Sequence, residues 1–255
     1  MVIEKRLVWT TVLGSLIAIS SSAYAQETSE KWNGLYGGFA IGGFYGKASP
    51  DTTVSDGTYF NTQNISTLNS TFQEEISDKA LSGSALLGYD VQNGNLVYGI
   101  EVDLTGMNYS EKHSRNVNYV LPAANSFSVS TELESNFALS IRPKIGYSFG
   151  DTMVHLAVGP TLSRFKYRFN FFDDAVPSAA SFSDKKTELG YSANLGVNHQ
   201  LGDGWLLRGD YVYTYYPDIV DGSNLLSRPA AETDVFSHDA NFHSHNIRIG
   251  LFKRF

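Results

Sequence analysis

Residues 241–255, NFHSHNIRIGLFKRF, decide the reading of this chain. Ile247, Ile249, Leu251 and the terminal Phe255 share one parity, while Ser244, Asn246, Arg248 and Arg254 take the other. A period of two is the signature of a strand with unlike faces. A strand in water usually frays at a terminus, whereas this one keeps its apolar face to the last residue and ends on an aromatic. A lipid-facing strand needs that arrangement, with apolar residues outward, polar residues toward a lumen and aromatics at the interface.

At the other end, Lys5 and Arg6 precede an apolar run over residues 7–19 and Ala23-Tyr24-Ala25. A basic start, a short apolar stretch and an A-x-A site predict a secretory signal over residues 1–25, cleaved after Ala25. The run is about 13 residues, short of the roughly 20 that a spanning helix needs. Residues 26–31 then form a short periplasmic lead, and residues 32–255 form the barrel domain. Cleavage removes Glu4, Lys5 and Arg6, moving the net charge from −7 to −8. That balance disfavours nucleic acid as a partner. Cys 0 excludes a disulfide scaffold, and the mean hydropathy of −0.19 hides no membrane helix. Barrel strands escape such averages because alternate residues are polar. Gly 23, Tyr 15 and Phe 16 suit tight strand packing and interfacial girdles.

Seven further strands can be read in order. The first runs through Trp32 to Gly46, with Leu35, Phe39, Ile41 and Tyr45 on one face. Its glycines do not form a phosphate loop, since no helix-forming segment follows. Strand two (80–91) meets strand three through Asn93-Gly94, a strong hairpin signal. Strands four and five join at Gly150-Asp151, and strands six and seven at Gly202-Asp203-Gly204. Polar stretches at 48–75, 110–131, 169–186 and 217–239 read as long exposed loops. Pro143 and Pro160 remove ladder donors, which predicts a bulge or a distorted register there. The expectation is an all-β fold: an eight-stranded antiparallel up-and-down transmembrane β-barrel with three short periplasmic turns and four long extracellular loops. A soluble ligand-binding barrel would place its large apolar residues inside, which the observed faces argue against.

Several segments also carry a resemblance: Gly99-Ile100-Glu101-Val102-Asp103-Leu104, Ile141-Arg142-Pro143-Lys144-Ile145-Gly146-Tyr147, Asp210-Tyr211-Val212-Tyr213-Thr214 and His245-Asn246-Ile247-Arg248-Ile249-Gly250-Leu251. In this order they resemble the small porin-like, outer-membrane immunogenic proteins of alphaproteobacteria, whose barrel is OmpA-like. Pro143 and the polar first loop depart from that family. The resemblance implies a cell outer membrane location and surface-exposed, immunogenic loops. It implies no catalytic activity.

The inward face predicts a nearly balanced set of lumen charges: Glu101, Asp103, Arg142, Lys144, Glu188, Arg208, Asp210 and Arg248. An eight-stranded lumen holds little besides its own side chains, so these charges are expected to pair and close the pore. A narrow ion path gated by switching pairs is the sharper alternative. A hydrolytic pair at Glu101 and Asp103 lacks an apolar pocket to raise one pKa. His243-Ser244-His245 invites comparison with lipid-modifying barrels, but Ser244 has the opposite parity to both histidines. His238, His243 and His245 are candidate haem ligands, and the resembling family includes haemin binders. Otherwise no cofactor, metal or catalytic residue is expected. The Asn-x-Ser/Thr matches at Asn64, Asn69 and Asn108 read as chance occurrences in polar segments. Expected partners are outer-membrane lipids and lipopolysaccharide, the barrel-assembly machinery through Phe255 as assembly signal, and host or phage surfaces through the loops. No peptidoglycan-binding domain is expected after the last strand.

Overall fold

The computed structural model describes residues 30–255, apart from 56, 58, 74, 121, 123, 124, 175, 177 and 228–233. The expected signal segment, residues 1–25, lies outside the described residues. Eight strands and one helix follow in order: β1 (Gly34–Val54), α1 (Thr62–Phe72), β2 (Ile76–Asn93), β3 (Leu96–Asn118), β4 (Ser126–Phe149), β5 (Thr152–Asp173), β6 (Ser178–Gly202), β7 (Trp205–Leu225) and β8 (Val235–Arg254). Every neighbour is antiparallel, and β8 pairs with β1 from Tyr36–Arg254 to Val54–Phe236, so the sheet is a closed barrel. Closure leaves no unpaired margin for lipid to meet. Among the described residues no helix is long and apolar enough to cross a membrane, which says nothing against crossing by strands.

The alternation read from the sequence sets the two faces. Leu35, Phe39 and Ile41 on β1, Val154, Leu156 and Val158 on β5, and Ile247, Ile249 and Leu251 on β8 all point outward and are exposed. The intervening residues are buried in the lumen. At the tight end the turns follow their chemistry: Gly94 takes φ +60°, a left-handed conformation that Asn-Gly supplies without strain.

The four polar segments differ from expectation in how they are built. Strands run 18 to 25 residues, so much of each expected loop is strand that continues outward. About 20 residues at roughly 3.3 Å each, tilted by about 40°, rise some 50 Å, twice the apolar belt of about 25 Å. The outer half of the barrel therefore stands clear of the membrane. Its alternation is the reverse of the belt, with aromatics inside and polar residues outside. Phe127, Tyr167, Phe169, Phe171, Phe236 and Phe242 are all buried within it.

The first polar segment also contains α1, which sequence reading missed. Asn61 caps it by accepting from the Asn64 backbone at 2.8 Å, and Leu68 and Phe72 lie on its buried face. Phe72 meets Phe127, Phe169 and Phe171 edge to face, at ring separations of 5.3 to 6.3 Å. A helix of Thr, Ser and Asn has weak intrinsic propensity, so this packing is what holds it.

The prolines act more mildly than expected. The β4–β5 ladder loses its pairs between Ser140–Thr161 and Lys144–Ala157 but resumes in the same register. Register shifts lie elsewhere, at Gly106/Tyr109, Ser135/Ala138, Gln200/Gly202 and Tyr216/Val220, and on β4 the inward face passes from odd to even residues between Ser135 and Ala138.

Candidate functional site

The lumen is filled in three layers. Nearest the tight turns, Trp32, Tyr36, Val97, Met153, Leu206 and Phe252 form an apolar layer. Trp32 closes this mouth: its indole N–H donates to Ser148 Oγ at 2.8 Å, and its backbone N–H to Gln92 Oε1 at 3.0 Å. Farthest away lies the aromatic core beneath α1. Between them is a layer of charges.

Glu101 is the centre of that layer and is wholly buried. Arg208 grips it with two parallel bonds, Nη1 to Oε1 at 2.7 Å and Nη2 to Oε2 at 3.0 Å. The same guanidinium donates through Nε to Asp210 at 2.8 and 2.9 Å. Arg248 joins Asp210 at 3.2 Å to Asp103 at 2.8 Å, and Arg142 also donates to Asp103. Lys144 bridges Asp90 at 2.7 Å and Glu101 at 3.4 Å and donates to Tyr36 Oη at 2.7 Å. Arg254 pairs with Asp90 at 2.9 Å and donates to the Trp32 carbonyl, linking the charges to the mouth. Planar guanidinium forks suit such a lattice because each offers several donors in fixed directions.

Seven of the eight predicted lumen residues meet here. Glu188 does not, and this expectation is corrected. It has the inward parity, but it lies above Tyr191–Tyr215, where the β6–β7 ladder begins, and is half-exposed. Among the described residues its electrostatic neighbours are Lys186, Asp218 and Asp184 rather than the lumen cations. Parity gives the face of a strand, not the height at which that face is enclosed.

The predicted charge set omitted Asp90 and Arg254, although Arg254 has the polar parity of the last strand, and Tyr36 and His155 were not singled out. His155 Nε2 lies 2.9 Å from Asn194 Oδ1 and 3.7 Å from Asp210. One overlooked signal was inward glycine. A Cβ on Gly196 would fall 2.3 Å from Asp210 Oδ1 and 2.4 Å from the His155 ring, so glycine marks where long lumen side chains cross.

The candidate haem ligands do not converge. His238 points inward, in the outer half, between Thr52 Oγ1 at 3.0 Å from Nδ1 and Asn224 Oδ1 at 2.8 Å from Nε2. Its ring stacks on Phe182 at 4.4 Å, and burial pushes its pKa down to about 4. His243 and His245 face outward on the same strand, with His245 Nδ1 2.7 Å from Tyr211 Oη. Ser244 between them is buried on the opposite face. Among the described residues no group of three or more His, Cys, Asp or Glu is placed to hold a metal ion.

The geometry agrees with what the chain is similar to. The family model described as outer membrane protein beta-barrel domain matches residues 11–255. A 31 kDa outer-membrane immunogenic protein of Brucella melitensis is 25% identical over 175 residues, covering 68% of this chain. The match spans 65% of that relative's own length. A 25 kDa outer-membrane immunogenic protein of Brucella abortus is 24% identical over 205 residues, covering 80% of this chain and 82% of the relative. Among solved structures, the outer membrane protease OmpT from Escherichia coli superposes with a TM-score of 0.51 at 10% identity, covering 89% of this chain and 98% of that one. At that identity the likeness concerns the fold alone.

Proposed function

The chain belongs to the outer membrane protein β-barrel family, and on that premise we propose that it is a closed, non-catalytic barrel that stabilises the outer membrane and presents its outer half as a surface for recognition. The observation that carries this reading is the filled lumen. From Trp32 through the Glu101–Arg208 lattice to Phe72, every layer is occupied by side chains that bond or pack with one another. A conducting path would have to break ion pairs buried in low dielectric, and separating one such pair costs about 3–5 kcal/mol.

The absence of a catalytic role rests on the same contacts. Glu101 and Asp103 are each committed to guanidinium groups, and His238 has both ring nitrogens engaged. The names of the Brucella relatives favour a surface antigen, and the outer half, built of paired strands, supplies the surface for recognition. Purified protein in planar bilayers is expected to give no steady single-channel steps, while antibodies against the outer hairpins label intact cells. A deletion strain is expected to gain detergent sensitivity that the wild-type chain reverses. Large, steady currents would refute the closed-barrel reading.

A further inference from the structure

The outer surface of the barrel is divided by charge at one height. On β5 the outward residues climb from Val154, Leu156, Val158 and Leu162 directly into Arg164, Lys166 and Arg168. Arg164 is ten positions above Val154, a rise of about 25 Å at a tilt of about 40°, which is the height of the apolar belt. The basic run therefore begins where hydrocarbon gives way to headgroups.

Neighbouring strands extend it sideways. Lys112 on β3, Glu132 on β4 and Arg168 lie in one cross-strand row, and Glu134, Lys166 and Lys185 in the next. Glu132 and Glu134 hold Arg168, and Glu134 holds Lys166 at 3.3 Å. Five cations stand against two carboxylates, an excess of 5 − 2 = 3 on a chain whose net charge is −7. Arg164 and Lys185 form no ion pair with a carboxylate among the described residues, while Lys112 stands opposite Glu132, which is already held by Arg168. Lys166 and Lys185 are direct cross-strand neighbours, and like charges placed so destabilise a sheet unless an anion lies between them. The opposite wall carries the reverse sign: Asp51, Asp239 and Asp221 are cross-strand partners on β1, β8 and β7. Two outward lysines, Lys47 and Lys79, stand on β1 and β2, with Lys47 paired to Glu75 at 2.6 Å, so the excess of cations over carboxylates is concentrated on this one wall.

We infer that this wall, Arg164, Lys166 and Arg168 with Lys112 and Lys185, is a binding site for the phosphate groups of lipopolysaccharide in the outer leaflet. The acyl chains would lie along Val158 and Leu162 below, and the phosphates would meet guanidinium and ammonium donors above. Arg164 offers the planar fork that suits phosphate. The inference rests on the outer-membrane reading.

The test is retention of lipid by the micelle-solubilised full chain in native mass spectrometry, using diphosphoryl lipid A and its dephosphorylated form. Wild-type protein is expected to retain the diphosphoryl form preferentially. Arg164→Ser with Lys185→Ser, which orphans no carboxylate, is expected to weaken that retention by about ten- to thirtyfold. The dephosphorylated lipid should bind both proteins equally poorly. Equal retention of the two lipids by wild type, or unchanged retention by the variant, would overturn the site. Displacement by inorganic phosphate at the same concentration would mark a free-anion site and also overturn it. A heat-dependent gel shift is read on the same samples. Lost preference with an intact shift condemns the site alone, whereas a wild-type chain without the shift condemns the barrel reading on which it rests.

Discussion

At the scale of single residues, the lumen lattice makes Arg208 the most consequential side chain. It serves Glu101 and Asp210 together, and both are buried. Arg208→Met leaves two carboxylates short of their main partner and is expected to cost about 3–5 kcal/mol of stability, read as a lower urea midpoint in a refolding titration. Adding Glu101→Gln should recover part of that loss, because the two sites are coupled. Strictly additive losses would mean that the pair is not a unit. His238 gives a separate, pH-dependent effect. Its folded pKa, about 4, is below the ordinary value of 6.5, so the unfolded chain takes up a proton first as pH falls. The contribution of neutral His238 is complete above about pH 6.5 and is lost on descending to about pH 4. Near-ultraviolet circular dichroism of the outer aromatic core should weaken across that window, and His238→Asn should remove that part of the slope.

At the scale of elements, α1 is the part least able to stand alone. Its eleven residues carry little helical preference and are anchored by Phe72, Leu68 and the bond from the Val54 N–H to Asn69 Oδ1 at 2.8 Å. Phe72→Ala removes a ring packed among four others and is expected to cost about 3–5 kcal/mol locally. Limited proteolysis should then cut between β1 and β2 while the heat-dependent gel shift of the barrel persists; unchanged resistance would mean that other contacts seat the helix. The same element shows where sequence reading stops. Residues 48–75 look like solvated loop because Thr, Ser and Asn dominate, and Phe60, Leu68 and Phe72 are too sparse to build a core within the segment, where Phe60 meets only the Tyr59 ring. Those partners come from β4, β5 and β8, more than 50 residues away.

At the scale of the whole molecule, closure depends on the last strand. The Phe255 backbone N–H donates to the Leu35 carbonyl at 2.9 Å, while its ring is 77% exposed on the lipid side. Deleting Phe255 is expected to impair assembly of the barrel far more than trimming an outer hairpin, measured as the heat-modifiable fraction in isolated membranes. Normal insertion of that truncation would remove its role as assembly signal. The sequence by itself determined the strand count, the closing of β8 on β1 by complementary faces, the tight turns and seven of the lumen charges. Each of these follows from residue parity or from local turn chemistry. Only the tertiary structure decided how far the strands rise above the membrane, that aromatics fill the outer half, that Glu188 stands apart and that the outer wall is divided by charge. These depend on height and on neighbours brought from distant strands, and alternation along a single strand carries neither.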